Sequence, residues 1–234
     1  MEPAVRVFAR EFNGSRSTAD AGDALAGRAV VTPSGAHCRR LFLVGALTER
    51  KGSGDDVMHA RLADPTGTFA LTVDRRSPDA AATLEYIDPP AFVAAVGEAV
   101  AAGTGTRMRT SIAVETITVV DRTVRDLWVL RTAEATLERL EAVGDTGDLA
   151  AMVTTALESV RPDLDVGPLE PVNAAEILRS ALEEGNGPRG LSRRDAIARG
   201  VAAGLAASAA GQAIDDLLLA GECYSPSAGM LRLI

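Results

Sequence analysis

Five arginines are the residues of this chain with the most evident chemistry. Arg61, Arg75, Arg76, Arg107 and Arg109 lie on or beside short stretches whose apolar residues alternate. A guanidinium in such a place can hold phosphate oxygens through two parallel hydrogen bonds. Arg39, Arg40 and Lys51 stand in comparable positions. A single-stranded polynucleotide also needs exposed rings for its bases, each stack contributing about 1–3 kcal/mol. Rings are scarce, at 3% of residues, and Phe42, Phe69 and Phe92 sit in apolar patterns that predict core positions. Along 69–73 the residues alternating with Phe69, Leu71 and Val73 are Ala70 and Thr72, which offer no ring. Weak intrinsic binding to nucleic acid is the expectation.

Other chemistries find less. His37, Cys38, His59 and Cys223 lack the paired spacing of a zinc site, so no metal is expected. Gly103-Thr104-Gly105-Thr106 lacks the lysine of a phosphate-binding loop, and no serine occupies a G-x-S-x-G elbow. The carboxylates are scattered, with no recognisable acid/base pair. The chain is expected to be non-enzymatic and to carry no cofactor.

The 24 Lys and Arg against 32 Asp and Glu give a net charge of −8, which opposes a large phosphate-binding surface. The excess is unevenly placed: residues 1–122 hold 14 basic and 15 acidic groups, residues 123–234 hold 10 and 17. All basic residues but Lys51 are Arg, which suits planar phosphate contacts, although a GC-rich genome produces the same bias. The two distant cysteines read as reduced thiols. With no apolar run long enough to cross a bilayer and no leader-like N-terminus, a cytoplasmic location without membrane contact is expected.

The elements that must position these arginines follow from period and turn chemistry. Leu41–Thr48, Val57–Ala63 and Phe69–Val73 read as strands, the last two joined by Asp64-Pro65-Thr66-Gly67, where Asp64 would accept turn amides and Gly67 would take a positive φ. The segment 51–56 reads as a polar loop. Ser77-Pro78 opens a short helix over 79–86, closed by Asp88-Pro89-Pro90. Strands resume at Phe92–Val100 and Met108–Val120. Strand, strand, strand, helix, strand, strand is the order of a five-stranded OB-type barrel.

Beyond it the period becomes helical. Leu127, Leu130, Leu137 and Leu140 form an apolar stripe on a helix over 123–142, with Trp128 beside it. It packs on the barrel or meets a partner. A break at 144–148 and a second helix over 148–160 precede a Pro-containing acidic linker at 161–171. Asn173 and Ser192 cap two further helices, at 174–184 and 193–201. A third at 206–220 and strands at 222–225 and 230–234 complete a small winged-helix pattern. Asp215 and Asp216 on that third helix suit protein docking better than DNA, and Arg189, Arg193, Arg194 and Arg199 gather near the second. The expected class is therefore α+β multidomain. Residues 1–36 are an N-terminal extension packing on the barrel, 37–122 the OB fold, 123–160 amphipathic helices for assembly, 161–171 a linker and 172–234 the winged helix.

Four segments in order carry a family resemblance: Val7-Phe8-Ala9-Arg10-Glu11-Phe12, the strand Arg40–Thr48, Asp64-Pro65-Thr66-Gly67-Thr68-Phe69 and the stretch Ile87–Gly97. Over roughly the first 140 residues the chain resembles the archaeal replication protein A-associated family. Its overall architecture is similar to the middle subunit of eukaryotic replication protein A. The resemblance implies an accessory subunit of a single-stranded DNA-binding complex in replication, repair and recombination. It would assemble with a larger replication protein A-like subunit through the barrel and following helix, and recruit replication or repair proteins through the winged helix. Two alternatives stand beside it: a stand-alone OB protein binding single-stranded DNA or RNA directly, and a protein-interaction adaptor without nucleic acid.

Overall fold

The computed structural model of the chain describes residues 3–20, 28–52, 57–144, 147–162, 164, 173–185 and 190–234. The loop tip predicted at 53–56, part of the helix break at 144–148 and most of the linker at 161–171 lie outside the described residues, as does Arg189.

The barrel strands are β4 (Arg40–Lys51), β5 (Met58–Asp64), β6 (Gly67–Val73), β7 (Ala91–Ala102) and β8 (Arg109–Val119). They close in the order β4-β5-β6-β8-β7, with β6 and β8 parallel and the other pairings antiparallel. Helix α2 (Pro78–Tyr86) links the third strand to the fourth. This is the OB fold. Period two explains its core: Leu41, Leu43, Leu47, Met58, Leu62, Phe69, Leu71, Val73, Val93 and Ile112 are buried. Gly97 sits where the β7–β8 register shifts, and a Cβ there would lie 2.4 Å from the Ala113 carbonyl oxygen. Only glycine admits that approach.

The aromatic prediction needs correcting at two positions. Phe69 is fully buried, but Phe42 and Phe92 alternate with inward-facing neighbours and point out of the barrel, half-buried. Phe42 carries the Arg6 guanidinium 5.2 Å from its ring centroid. The inside of the barrel takes its rings from elsewhere. Helix α1 (Ala9–Asn13) crosses one end and buries Phe8 and Phe12, the latter against Phe69 with ring centroids 6.0 Å apart. Val5 pairs with the start of β4, and a small antiparallel sheet of β1 (Ser17–Asp20), β2 (Arg28–Val31) and β3 (His37–Cys38) follows α1.

Helix α3 (Arg122–Val143) leaves the barrel with Asp121 accepting the Val124 amide. Trp128 anchors it: its ring meets Phe8 edge-on at 5.8 Å, and its Nε1–H donates to the Phe42 carbonyl at 2.9 Å. Helix α4 (Gly147–Glu158) packs against α3. The remaining elements are α5 (Ala174–Glu184), β9 (Leu191–Ser192), α6 (Arg193–Ala202), α7 (Ala207–Leu219), β10 (Cys223–Tyr224) and β11 (Met230–Leu233), the strands pairing in the order β10-β11-β9. Leu178, Leu182, Ala196, Ala210, Ile214, Leu217 and Leu231 form their own core. Asn173 and Ser192 cap as predicted, through the Glu176 and Asp195 amides. Ser77 stands at the start of α2 without a cap hydrogen bond; Pro78 at the first helical position sets the turn instead. No described helix is long and apolar enough to cross a membrane.

Candidate nucleic-acid interface

Cross-strand register places outward side chains in rows around the barrel. Glu49, Arg61 and Ala70 form one row, and Lys51, His59, Thr72, Ala113, Glu98 and Arg40 the next. Between them lies a groove of about 440 Å³ lined by Glu49, Lys51, His59, Arg61, Ala70, Thr72 and Ser111, among others. This is the strand 2–3 face that OB folds use for oligonucleotides and oligosaccharides.

Its cations are answered from within. Glu49 pairs with both Lys51 and Arg61, the latter at 3.0 Å. The Lys51 hydrogen bond and charge, joined by Arg61, hold the Glu49 carboxyl below its ordinary range. Arg76 folds onto Asp74 at 2.9 Å, and Arg40 pairs with Glu115. Asp74, Arg76, Glu98 and Glu115 line an adjoining depression of about 240 Å³, so acid accompanies base across this face. His59 supplies the one ring among the groove's lining residues.

The five predicted arginines therefore separate. Arg61 lies in the groove and Arg76 beside it, both ion-paired. Arg75 is exposed on the same turn as Arg76 and is itself engaged in an interaction. Arg107, in a single 3-10 turn at Gly105–Arg107, and Arg109, opening β8, are exposed and form no ion pair with a described residue.

The turn at 64–67 does more than close a hairpin. Asp64 Oδ1 accepts the Thr66 amide at 2.7 Å, the Gly67 amide at 3.0 Å and the Thr66 hydroxyl at 2.8 Å, while Oδ2 accepts the Ala9 amide at 2.7 Å. Thr66 Oγ1 accepts the Arg10 amide at 3.1 Å. The turn thus docks α1. Gly67 is not among the glycines with positive φ, contrary to expectation; it begins a strand, with α1 against it. Nothing in the local sequence could announce a bond to a helix 55 residues away.

The four candidate partner leucines do not share one environment. Leu127 and Leu130 are half-buried, Leu137 is 41% exposed and Leu140 is buried. The barrel side of α3 is built instead on Trp128, Val129, Thr132, Ala133 and Thr136, and Leu137, Leu140, Glu141, Gly144 and Ala150 line an open hollow where α3 meets α4. Cys38 is fully buried and its thiol is pushed up to about 12, chiefly by desolvation. Among the described residues no three His, Cys, Asp or Glu side chains converge as a metal site.

No protein-family model matches the chain, and no curated protein matches it in sequence. Among solved structures, a chain of a replication protein A heterotrimer bound to ssDNA is similar over 57% of this chain and 94% of that one, at 15% identity and a TM-score of 0.43. A chain of the Stn1–Ten1 complex of S. pombe is similar over 58% and 93%, at 9% identity and a TM-score of 0.47. The mitochondrial single-stranded DNA-binding protein Rim1 of S. cerevisiae covers 36% of this chain and 95% of its own, at 17% identity and a TM-score of 0.31. These are likenesses of fold.

Proposed function

We propose that the chain is an accessory subunit of a replication protein A-like complex on single-stranded DNA, acting in replication, repair and recombination. The groove carries this: it occupies the OB position for nucleic acid, yet Glu49 and Asp74 answer its cations. A cation already paired gains less by meeting a phosphate, because counterion release drives such binding. Contact with DNA is then shared with a larger replication protein A-like subunit, Arg61, Arg75, Arg76, Arg107 and Arg109 being this chain's contribution. Leu127, Leu130 and Leu137 on the open side of α3 meet that subunit, with Leu140 packed behind them.

The C-terminal elements have the order of a winged helix and recruit replication or repair proteins. Their charges favour protein over DNA. Arg193 is bound to Asp215 at 2.7 Å, and Arg199 donates to the Ala181 carbonyl at 2.8 Å. Cations near the second helix are thereby partly consumed inside the unit.

Copurification from native cells, followed by anisotropy titration of a fluorescent single-stranded oligonucleotide at low and moderate salt, tests the proposal. A larger OB protein should copurify, the complex should bind in a salt-sensitive manner and the isolated chain should bind weakly. Tight binding by the isolated chain would make it a stand-alone binder. Absence of affinity in both preparations would leave a protein-interaction adaptor, which the double pairing of Glu49 favours as the second reading.

A further inference from the structure

Four exposed cations with no ion pair to a described residue lie on segments that meet at one end of the groove: Arg10 on α1, Arg16 just after it, and Arg107 and Arg109 at the start of β8. Asn13, the last residue of α1, reaches both strands at that end: its Nδ2 donates to the Thr68 carbonyl at 2.9 Å, and its Oδ1 accepts the Thr110 hydroxyl at 3.2 Å. Thr68 lines the groove, and Arg109 immediately precedes Thr110. Arg16 lies over the same helix end, its guanidinium donating to the carbonyls of Asn13 at 3.3 Å and Ser15 at 2.8 Å. Carbonyl partners hold it in place without cancelling its charge. Arg10 sits one turn earlier, its amide on Thr66.

Arg10, Arg16, Arg107 and Arg109 are all exposed, and none forms an ion pair with a described residue. Two acids at α1, Glu11 on the helix and Asp64 against it, are committed. Glu11 is fully buried among Thr32, Ser34 and Arg139, and Asp64 accepts four hydrogen bonds. On the groove floor, by contrast, Lys51 and Arg61 share Glu49.

We infer that α1 is part of the nucleic-acid path: Arg10 and Arg16 join Arg107 and Arg109 in a phosphate track that continues the groove past the start of β8 and across α1. The ligand is the phosphodiester backbone of a single strand, held without base selection because the track offers guanidinium groups and no ring. This inference rests on the single-stranded DNA reading above and assigns to the N-terminal segment a binding role in addition to its packing role.

Anisotropy titration of oligothymidylate across a salt series tests it, on the full chain and on its native complex. The variant Arg10→Gln/Arg16→Gln/Arg107→Gln/Arg109→Gln is compared with wild type and with the control Arg131→Gln/Arg194→Gln, placed on α3 and α6. Because the Arg16 side chain also braces the end of α1, a second variant keeps Arg16 and changes only Arg10, Arg107 and Arg109, with circular dichroism confirming the fold of each. Both variants should lose more than about tenfold in affinity at low salt. The salt slope should fall by up to about 3 for four contacts and 2 for three, at about 0.7 per phosphate on a single strand. The control should match wild type. Wild-type affinity and slope in both variants would remove α1, Arg107 and Arg109 from the path and leave the DNA reading standing on Arg61, Arg75 and Arg76. Absence of binding by the wild type, alone and in its complex, would overturn both.

Discussion

Asp126 is the side chain whose environment is most demanding. It is fully buried near the start of α3, with Arg125 at 2.7 Å, Arg161 at 2.9 Å and Arg122 at 3.7 Å. Arg125 also donates to the Ser159 carbonyl and hydroxyl, and Arg161 to the Thr123 hydroxyl, so the carboxylate staples the start of α3 to the chain leaving α4. Burial alone would raise its carboxyl, but the hydrogen bonds from Arg125 and Arg161 outweigh this and hold it below the ordinary value. Removing one partner of a buried pair leaves charge uncompensated. Asp126→Asn should therefore cost about 3 kcal/mol in urea unfolding. The sign with pH follows from a folded value that is depressed: the wild-type advantage is complete above the unfolded Asp value of 3.8 and fades as the pH falls below it. An advantage that grew on acidification would contradict the arrangement.

At the scale of the element, α3 shows what periodicity can and cannot reveal. Its span was legible, 123–142 expected and Arg122–Val143 found, because Leu and Ala at helical spacing between Asp121 and Gly144 leave little choice. Its facing was not. The leucine stripe is the more hydrophobic side by composition, but Trp128 with its N–H on the Phe42 carbonyl fixes the rotation, and Thr132 and Thr136 enter the buried side by donating to carbonyls four residues back. Substitutions should expose that rotation. Leu137→Asp should leave stability within about 0.5 kcal/mol of wild type, so any loss of a copurified subunit reports the interface itself. Leu140→Asp buries a charge and should cost at least about 3 kcal/mol in the same melt. Equal effects of the two would place Leu137 in the core.

At the scale of the whole molecule, the C-terminal elements rest on the barrel. Thr118 donates to the Gly204 carbonyl at 2.7 Å, Thr83 of α2 accepts the Ala207 amide at 3.0 Å, and Asp79 accepts the Ser208 amide at 3.3 Å. Val201 and Ala207 join the core on the barrel side. Gly204 has φ +95°, and a Cβ there would lie 3.1 Å from the Val119 carbonyl oxygen, so the α6–α7 turn fits against β8 as glycine. The start of α7 is thus occupied by α2. Thr83→Val removes the acceptor of a buried amide, a loss of about 1–3 kcal/mol. Hydrogen exchange at Ala207 and Ser208 should then quicken about tenfold or more, while amides of β4 and β7 keep their wild-type rates. Unchanged exchange at Ala207 would mean that this contact does not hold the unit.

The sequence by itself determined the barrel strands, α2, α3 and the C-terminal element order, because alternation, helical spacing, caps and Pro or Gly punctuation act within a few residues. It missed α1 and the sheet β1–β3, whose short segments have too few residues to show a period, and it missed β9, two residues that become a strand only by pairing with β11. Which arginines are free was a tertiary decision. Glu49 meets Arg61, Arg40 meets Glu115 and Arg139 approaches Glu11 across separations that composition cannot see. The sequence counted cations along the chain; folding decided which of them an acid had already claimed, and beside the groove left Arg10, Arg16, Arg107 and Arg109 without one among the described residues.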